Sequence, residues 1–176
     1  MDVADNQPSP MITLVIGGAR SGKSEFAERL AAAGGARVVY VATAEVSGDE
    51  DFEARVRRHR DRRPEEWATA EPGRELVRFV EGERSGATLL IDSLGTWVVG
   101  FEDFQADKEG LCHALTSRPG HTVVVSEEVG LAVHPSTTEG GRFRDALGEV
   151  NQAVSRIADA AYLVVAGRPL ALGPVG

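Results

Sequence analysis

The sequence predicts an α/β domain in which a mostly parallel sheet is covered by helices on both faces. Three observations carry that expectation. Short apolar runs rich in β-branched residues alternate with stretches of helical periodicity. The strand-like runs are apolar throughout, as strands buried on both faces must be. A glycine-rich turn joins the first of these runs to the first helical stretch.

The elements follow in order. "MDVADNQPSP", residues 1–10, is acidic and lacks the basic start and apolar stretch of a signal peptide, so it reads as a disordered leader. A single domain then spans residues 11–176. "MITLVIGG" reads as a buried strand. "SGKSEFAERLAAAGG" places Phe26, Leu30 and Ala33 at helical spacing, with Gly34 as its stop. "RVVYVATA" is a second strand. "GDEDFEARVRRHRDRRP" has acidic residues at its front and arginines at its back, the order a helix dipole favours, and Pro64 suits its end. "ATLLIDSL" is a strand carrying Asp92 at its end, and "GLCHAL" is a short helix. "HTVVVSEEVG" is a fourth strand. "GRFRDALGEVNQAVSRIADAA" sets Phe143, Leu147, Val150, Val154, Ile157 and Ala161 on one helical stripe. "YLVVAG" closes the set as a fifth strand. Residues 126–141 form the one long irregular stretch, a length usually reserved for functional loops. There is no internal repeat and no interior linker.

Composition narrows the function classes. A 176-residue domain buries roughly 70% of its unfolded surface and needs no disulfide or metal staple. Cys112 is the only cysteine, which excludes an internal disulfide and a cysteine-based metal cluster. No apolar run approaches the roughly 18 residues of a membrane span. These features point to a soluble cytoplasmic protein. The net charge of −8 argues against general nucleic-acid binding. Arginine outnumbers lysine 17 to 2, and six of the arginines fall between Arg55 and Arg63. Only Lys23 and Lys108 are available for any role that requires a lysine.

Lys23 sits in a motif. "GGARSGKS", Gly17, Gly18, Ala19, Arg20, Ser21, Gly22, Lys23 and Ser24, has the spacing of a phosphate-binding loop, with a strand before it and a helix after it. Glycines let the backbone fold tightly so that its N–H groups face phosphate oxygens, and the helix N-terminus adds favourable electrostatics. Lys23 reaches the β and γ phosphates, and Ser24 ligates Mg²⁺. Such a loop needs a carboxylate on a neighbouring strand, and Asp92 fits that metal-holding role. The plainer reading of Asp92 is a cap on the helix that "SLGTW" begins.

The arginine-rich stretch carries a histidine. On a helix, His59 continues the inward stripe of Phe52 and Val56, with Arg55, Arg62 and Arg63 within one turn of it. Guanidiniums about 6 Å away oppose protonation by roughly 3 kcal/mol each at an effective dielectric of 20. A neutral imidazole can attack phosphorus, and the same arginines would hold a triphosphate. The residues leave a second reading open: a core-edge histidine whose arginines pair with Glu50, Glu53, Asp61, Glu65 and Glu66.

"GGARSGKS", "YVATAE", "RVRRHRDRRPEEWATAEP", "LLIDSL", "VVVSEEVG" and "GRFRDALGEVNQAVSRIADAAYLVVAG" occur in the order of a known family. Over residues 12–170 the chain resembles the bifunctional adenosylcobinamide kinase/adenosylcobinamide-phosphate guanylyltransferases. The "HRxxRPxxW" and "FRDxxGxxNQ" segments are the specific part; the phosphate loop is shared by many families. The resemblance implies a RecA-like P-loop fold and a homo-oligomer, a trimer with active sites near subunit interfaces. It implies that ATP or GTP phosphorylates adenosylcobinamide, and that GTP then gives GMP to adenosylcobinamide phosphate through a GMP–histidine intermediate. By position it makes His59 the nucleophile. It puts nucleotide contacts at Gly17 to Ser24, at Ala42, Thr43 and Ala44, at Arg60, Asp61, Arg62 and Arg63, and at Glu71, with Asp92 in the metal-carboxylate place. Two departures stand out. Many relatives read Asn-Glu-Val-Gly where this chain has Glu127-Glu128-Val129-Gly130, and the stretch between Asp92 and His121 is short.

The other histidines have plainer readings: His113 as a surface or core-edge residue, His121 as a turn residue at a strand start. His134 lies in the long loop, where it could cover an acceptor. The residues alone also leave open a small-metabolite kinase with no covalent intermediate, and a GTP-dependent regulatory module without chemistry on a metabolite.

Overall fold

The computed structural model describes residues 11–44, 64–131 and 135–174. A seven-stranded sheet forms the centre, in the order β3-β2-β4-β5-β1-β6-β7. Its strands are β1 (Met11–Gly17), β2 (Val38–Ala42), β3 (Ala68–Ala70), β4 (Thr88–Asp92), β5 (His121–Glu127), β6 (Ala160–Val165) and β7 (Arg168–Leu172). All pairings are parallel except that of β6 with β7. The helices are α1 (Lys23–Ala33), α2 (Leu76–Gly82), α3 (Leu94–Val99), α4 (Lys108–Ser117) and α5 (Thr138–Ile157).

Both faces of the central strands β2, β4, β5 and β1 are buried, which is why those strands are predominantly apolar. On one face Leu14, Val41, Leu89, Ile91 and Val124 pack with Leu76, Trp97, Leu111, Leu115, Leu147 and Val154 from α2 to α5. On the other, Val15, Tyr40, Leu90, Val123 and Val125 pack with Ala27 and Ala31 of α1.

The five expected strands are present, as are the helix after "GGAR" and those that run through "SLGTW", "GLCHAL" and "GRFRD". Two boundaries move. Helix α5 ends at Ile157, and Ala161 belongs to β6, not to the helical stripe. Asp159 is the cause. Its N–H donates to Ile12 O at 2.8 Å and its Oδ2 accepts from Ile12 N–H at 2.7 Å, which ties the chain to β1. Ala161 still packs against the same core, so its apolar side chain served a strand and not a helix. The long irregular stretch also contracts. Ser126 and Glu127 complete β5, and α5 begins at Thr138, whose neighbour Thr137 caps it by accepting from Gly140 N–H. The expected helix over the arginine cluster lies outside the described residues.

Candidate active site

Parallel pairing brings the carboxyl ends of the strands to one edge of the sheet, where open α/β folds bind ligands. Ala42 lies opposite Asp92, and Asp92 opposite Val125. Gly17 lies opposite Glu127 on one side and Val164 on the other. The phosphate loop, Asp92 and Glu127 therefore share an edge before any side chain is considered.

The loop between β1 and α1 has the shape its glycines permit. Gly22 precedes α1 with φ 90°, a conformation that favours glycine, and a Cβ there would lie 3.2 Å from Gly167 Cα. The β6–β7 turn thus buttresses the loop, and Gly167 N–H donates to Ser21 O at 2.8 Å. Gly17 is equally constrained: a Cβ would sit 2.6 Å from Ser21 Oγ and 2.7 Å from Val164 O. Gly18, Ala19 and Arg20 are exposed, and Arg20 has φ 57°. The Ser21 hydroxyl is buried without a hydrogen-bond partner. A buried hydroxyl without a partner at this turn suits a ligand rich in acceptor oxygens.

Lys23 and Ser24 open α1. Lys23 Nζ donates to Gly18 O at 3.4 Å and stands 3.7 Å from Glu127 Oε1. Glu127 is held from the other side: its Oε2 accepts from Ser93 Oγ at 3.0 Å and from Gly95 N–H at 3.1 Å. Asn151 Nδ2 donates to the Glu127 carbonyl at 3.0 Å, so α5 also fixes this strand end. The sequence marked Glu127 as a departure but gave no partner for it. The signal available was its place at the end of the strand beside the phosphate-loop strand.

Asp92 does not cap α3; Ser93 does, with Thr96 completing a capping box. The Asp92 carboxylate instead accepts from Tyr40 Oη at 2.8 Å. Thr43 is buried, and its hydroxyl donates to Ser93 O at 2.6 Å while accepting from Ser93 N–H at 3.0 Å. Its side chain thus joins the ends of β2 and β4; Ala42 and Ala44 flank it half-buried. Glu71 is exposed, directly after β3. His113 is exposed on α4. His121 starts β5, and its Nε2 lies 3.0 Å from Thr13 Oγ1 at the opposite edge of the sheet from the loop. His59, Arg60, Asp61, Arg62, Arg63 and His134 lie outside the described residues.

Ser24 and Asp92 supply hard oxygen donors. Among the described residues no three His, Cys, Asp or Glu side chains gather to cage a metal. That donor set fits Mg²⁺, which keeps its waters and leans on substrate phosphates. No helix among the described residues is long and apolar enough to cross a membrane.

The family described as cobinamide kinase / cobinamide phosphate guanyltransferase matches this sequence over residues 13–172. The chain belongs to that family. The bifunctional adenosylcobalamin biosynthesis protein CobP of Pseudomonas aeruginosa is 37% identical to it over 169 residues, covering 92% of this chain and 97% of that protein. The bifunctional adenosylcobalamin biosynthesis protein CobU of Escherichia coli is 33% identical, covering 89% of this chain and 97% of that protein. Among solved structures, the flagellar accessory protein FlaH of Methanocaldococcus jannaschii shares the fold with a TM-score of 0.54 at 13% identity, covering 96% of this chain and 80% of that one. This cobinamide kinase / guanyltransferase family member is thus an α/β P-loop protein, with its loop, Lys23 and Asp92 at the carboxyl edge of the sheet.

Proposed function

We propose that this enzyme phosphorylates adenosylcobinamide with ATP or GTP and then transfers GMP from GTP to the product, giving adenosyl-GDP-cobinamide and pyrophosphate. Membership of the family over nearly the whole chain supports the pair of reactions. The observation that carries the nucleotide site is the position of Lys23 Nζ, folded back over the loop at Gly18 O and 3.7 Å from Glu127 Oε1.

In the kinase step the aminopropanol hydroxyl oxygen bonds to the γ phosphorus as the bond to the β–γ bridging oxygen breaks. The backbone N–H groups of Gly18 to Lys23 and the Ser21 hydroxyl orient the phosphates, and Lys23 neutralises charge on the β and γ oxygens. Ser24 and Asp92 would hold Mg²⁺, which when bound neutralises charge on the β and γ oxygens. Tyr40 Oη donates to Asp92 Oδ2 at 2.8 Å and so fixes the carboxylate at the strand end.

In the guanylyl step the His59 imidazole bonds to the α phosphorus and pyrophosphate leaves. The phosphate of adenosylcobinamide phosphate then displaces the imidazole. Arg60, Asp61, Arg62 and Arg63, with Ala42, Thr43, Ala44 and Glu71, are assigned to the nucleotide on family resemblance. Because the Thr43 hydroxyl is committed to Ser93, its part is to shape the backbone beside the nucleotide. A homo-oligomer, a trimer by family resemblance, is assigned too. The exposed Val165, Leu170 and Leu172 of the β6–β7 edge suit such burial. The setting is the cytoplasm, without nucleic acid or membrane partners.

The test is transfer to the corrinoid. Purified protein with Mg²⁺ and adenosylcobinamide should move label from γ-labelled nucleotide to the corrinoid, and then label from α-labelled GTP. Nucleotide hydrolysis with no labelled corrinoid would contradict the assignment and favour a regulatory module or a kinase for another metabolite.

A further inference from the structure

Glu127 puts a fixed negative charge where the phosphate loop is built to receive a negatively charged ligand. Its Oε1 lies 3.7 Å from Lys23 Nζ, and the side chains are 30% and 11% exposed, so solvent screens the pair only partly. A surface carboxylate would swing away from an arriving phosphate. This one is restrained, because Ser93 Oγ and Gly95 N–H both hold its Oε2. Gly95 is required for that placement: a Cβ at this position would collide with Glu127 Oε2. Tyr40 restrains the second strand-end carboxylate, Asp92, so neither anion is free to leave the edge.

We propose that Glu127 makes nucleotide binding conditional on a divalent cation. It neutralises the loop's only lysine and repels a bare triphosphate. A cation carried on the phosphates cancels half the charge of a fully ionised triphosphate, which weakens the repulsion and lets Lys23 exchange its carboxylate partner for phosphate oxygens. Glu127 is then a positioning residue that selects the metal-complexed form of the nucleotide. The inference rests on the reading of the loop as the nucleotide site.

The experiment is equilibrium binding of GTP to the full chain, with excess Mg²⁺ and with EDTA. The variants are Glu127→Gln, which keeps the shape, and Gly95→Ala, which displaces the carboxylate without removing it. The wild type should bind GTP far more tightly with Mg²⁺ than with EDTA. Glu127→Gln should tighten metal-free binding by about tenfold and Mg²⁺-complexed binding by only about threefold, since the metal halves the repelled charge. Gly95→Ala should shift the ratio the same way, and it serves if Glu127→Gln does not fold. A ratio unchanged from wild type in the folded variant overturns the proposal, as does wild-type binding that is equally tight without metal. Wild type that binds no GTP even with Mg²⁺ overturns the nucleotide-site reading as well. A purely structural role for Glu127 would weaken both forms of binding together.

Discussion

His121 shows what burial does to one residue at the sheet's other edge. Burial is the main force pushing its pKa down, and the Arg118 guanidinium adds to it; Asp159 pulls weakly the other way. The folded protein therefore takes up the proton less readily than the unfolded chain. Stability is full above the ordinary histidine value of about 6.5 and is lost as the pH falls through and below it. Urea unfolding midpoints at about pH 7.5 and about pH 5.5 should drop more for wild type than for His121→Gln. Equal drops would show that the half-buried imidazole carries no linkage. In the sequence His121 read only as a turn residue, because its side-chain partner Thr13 comes from a distant strand of the chain. Lys23 was legible for the opposite reason. The phosphate loop makes its demands over eight consecutive residues, and its glycines have no alternative at Gly17 and Gly22. The Glu127 partnership was not legible, since it depends on which strand lies beside β1.

Thr43 decides how two elements meet. Its buried hydroxyl links the end of β2 to the start of α3 by bonding both backbone groups of Ser93, and it lies 2.6 Å from Thr96 Oγ1. Thr43→Val keeps the volume but removes both hydrogen bonds of the hydroxyl to Ser93, leaving the Ser93 N–H with Thr96 Oγ1 alone. The expected cost is about 1–3 kcal/mol, with the melting temperature lowered by about 2–4 °C for each kcal/mol. Thr43→Ser should restore most of it, and a thermal melt of the three proteins reads the effect. An unshifted Thr43→Val melt would show that the latch carries no energy. Strands β1, β2, β4, β5 and β6 were legible because each is a compact apolar run. Strand β3 was not, at three residues with a mixed face, and β7 was not, with all five residues exposed. Neither presents the buried run by which a strand announces itself. The end of α5 was misplaced because apolar periodicity continues past Ile157, while the hydrogen bonds of Asp159 to β1 are long-range.

At the scale of the molecule, parallel connectivity does the organising. Every strand that carries a proposed site residue ends on one edge, so Gly17, Ala42, Asp92 and Glu127 converge from positions spread over 111 residues of sequence. The fold class and the place of the phosphate loop after β1 were legible because both follow from local patterns, alternation and the loop motif. The corrinoid's place was not, because no local pattern encodes a large acceptor. The proposed chemistry turns on the one histidine set among arginines, His59. Purified enzyme is incubated with Mg²⁺ and GTP labelled at the α phosphate, denatured, and counted for bound label, beside His59→Ala. Acid-labile, alkali-stable label on wild type and none on the variant is the expected result, as a phosphoramidate at His59 requires. Equal label on both proteins, or none on wild type that demonstrably binds GTP, would contradict it.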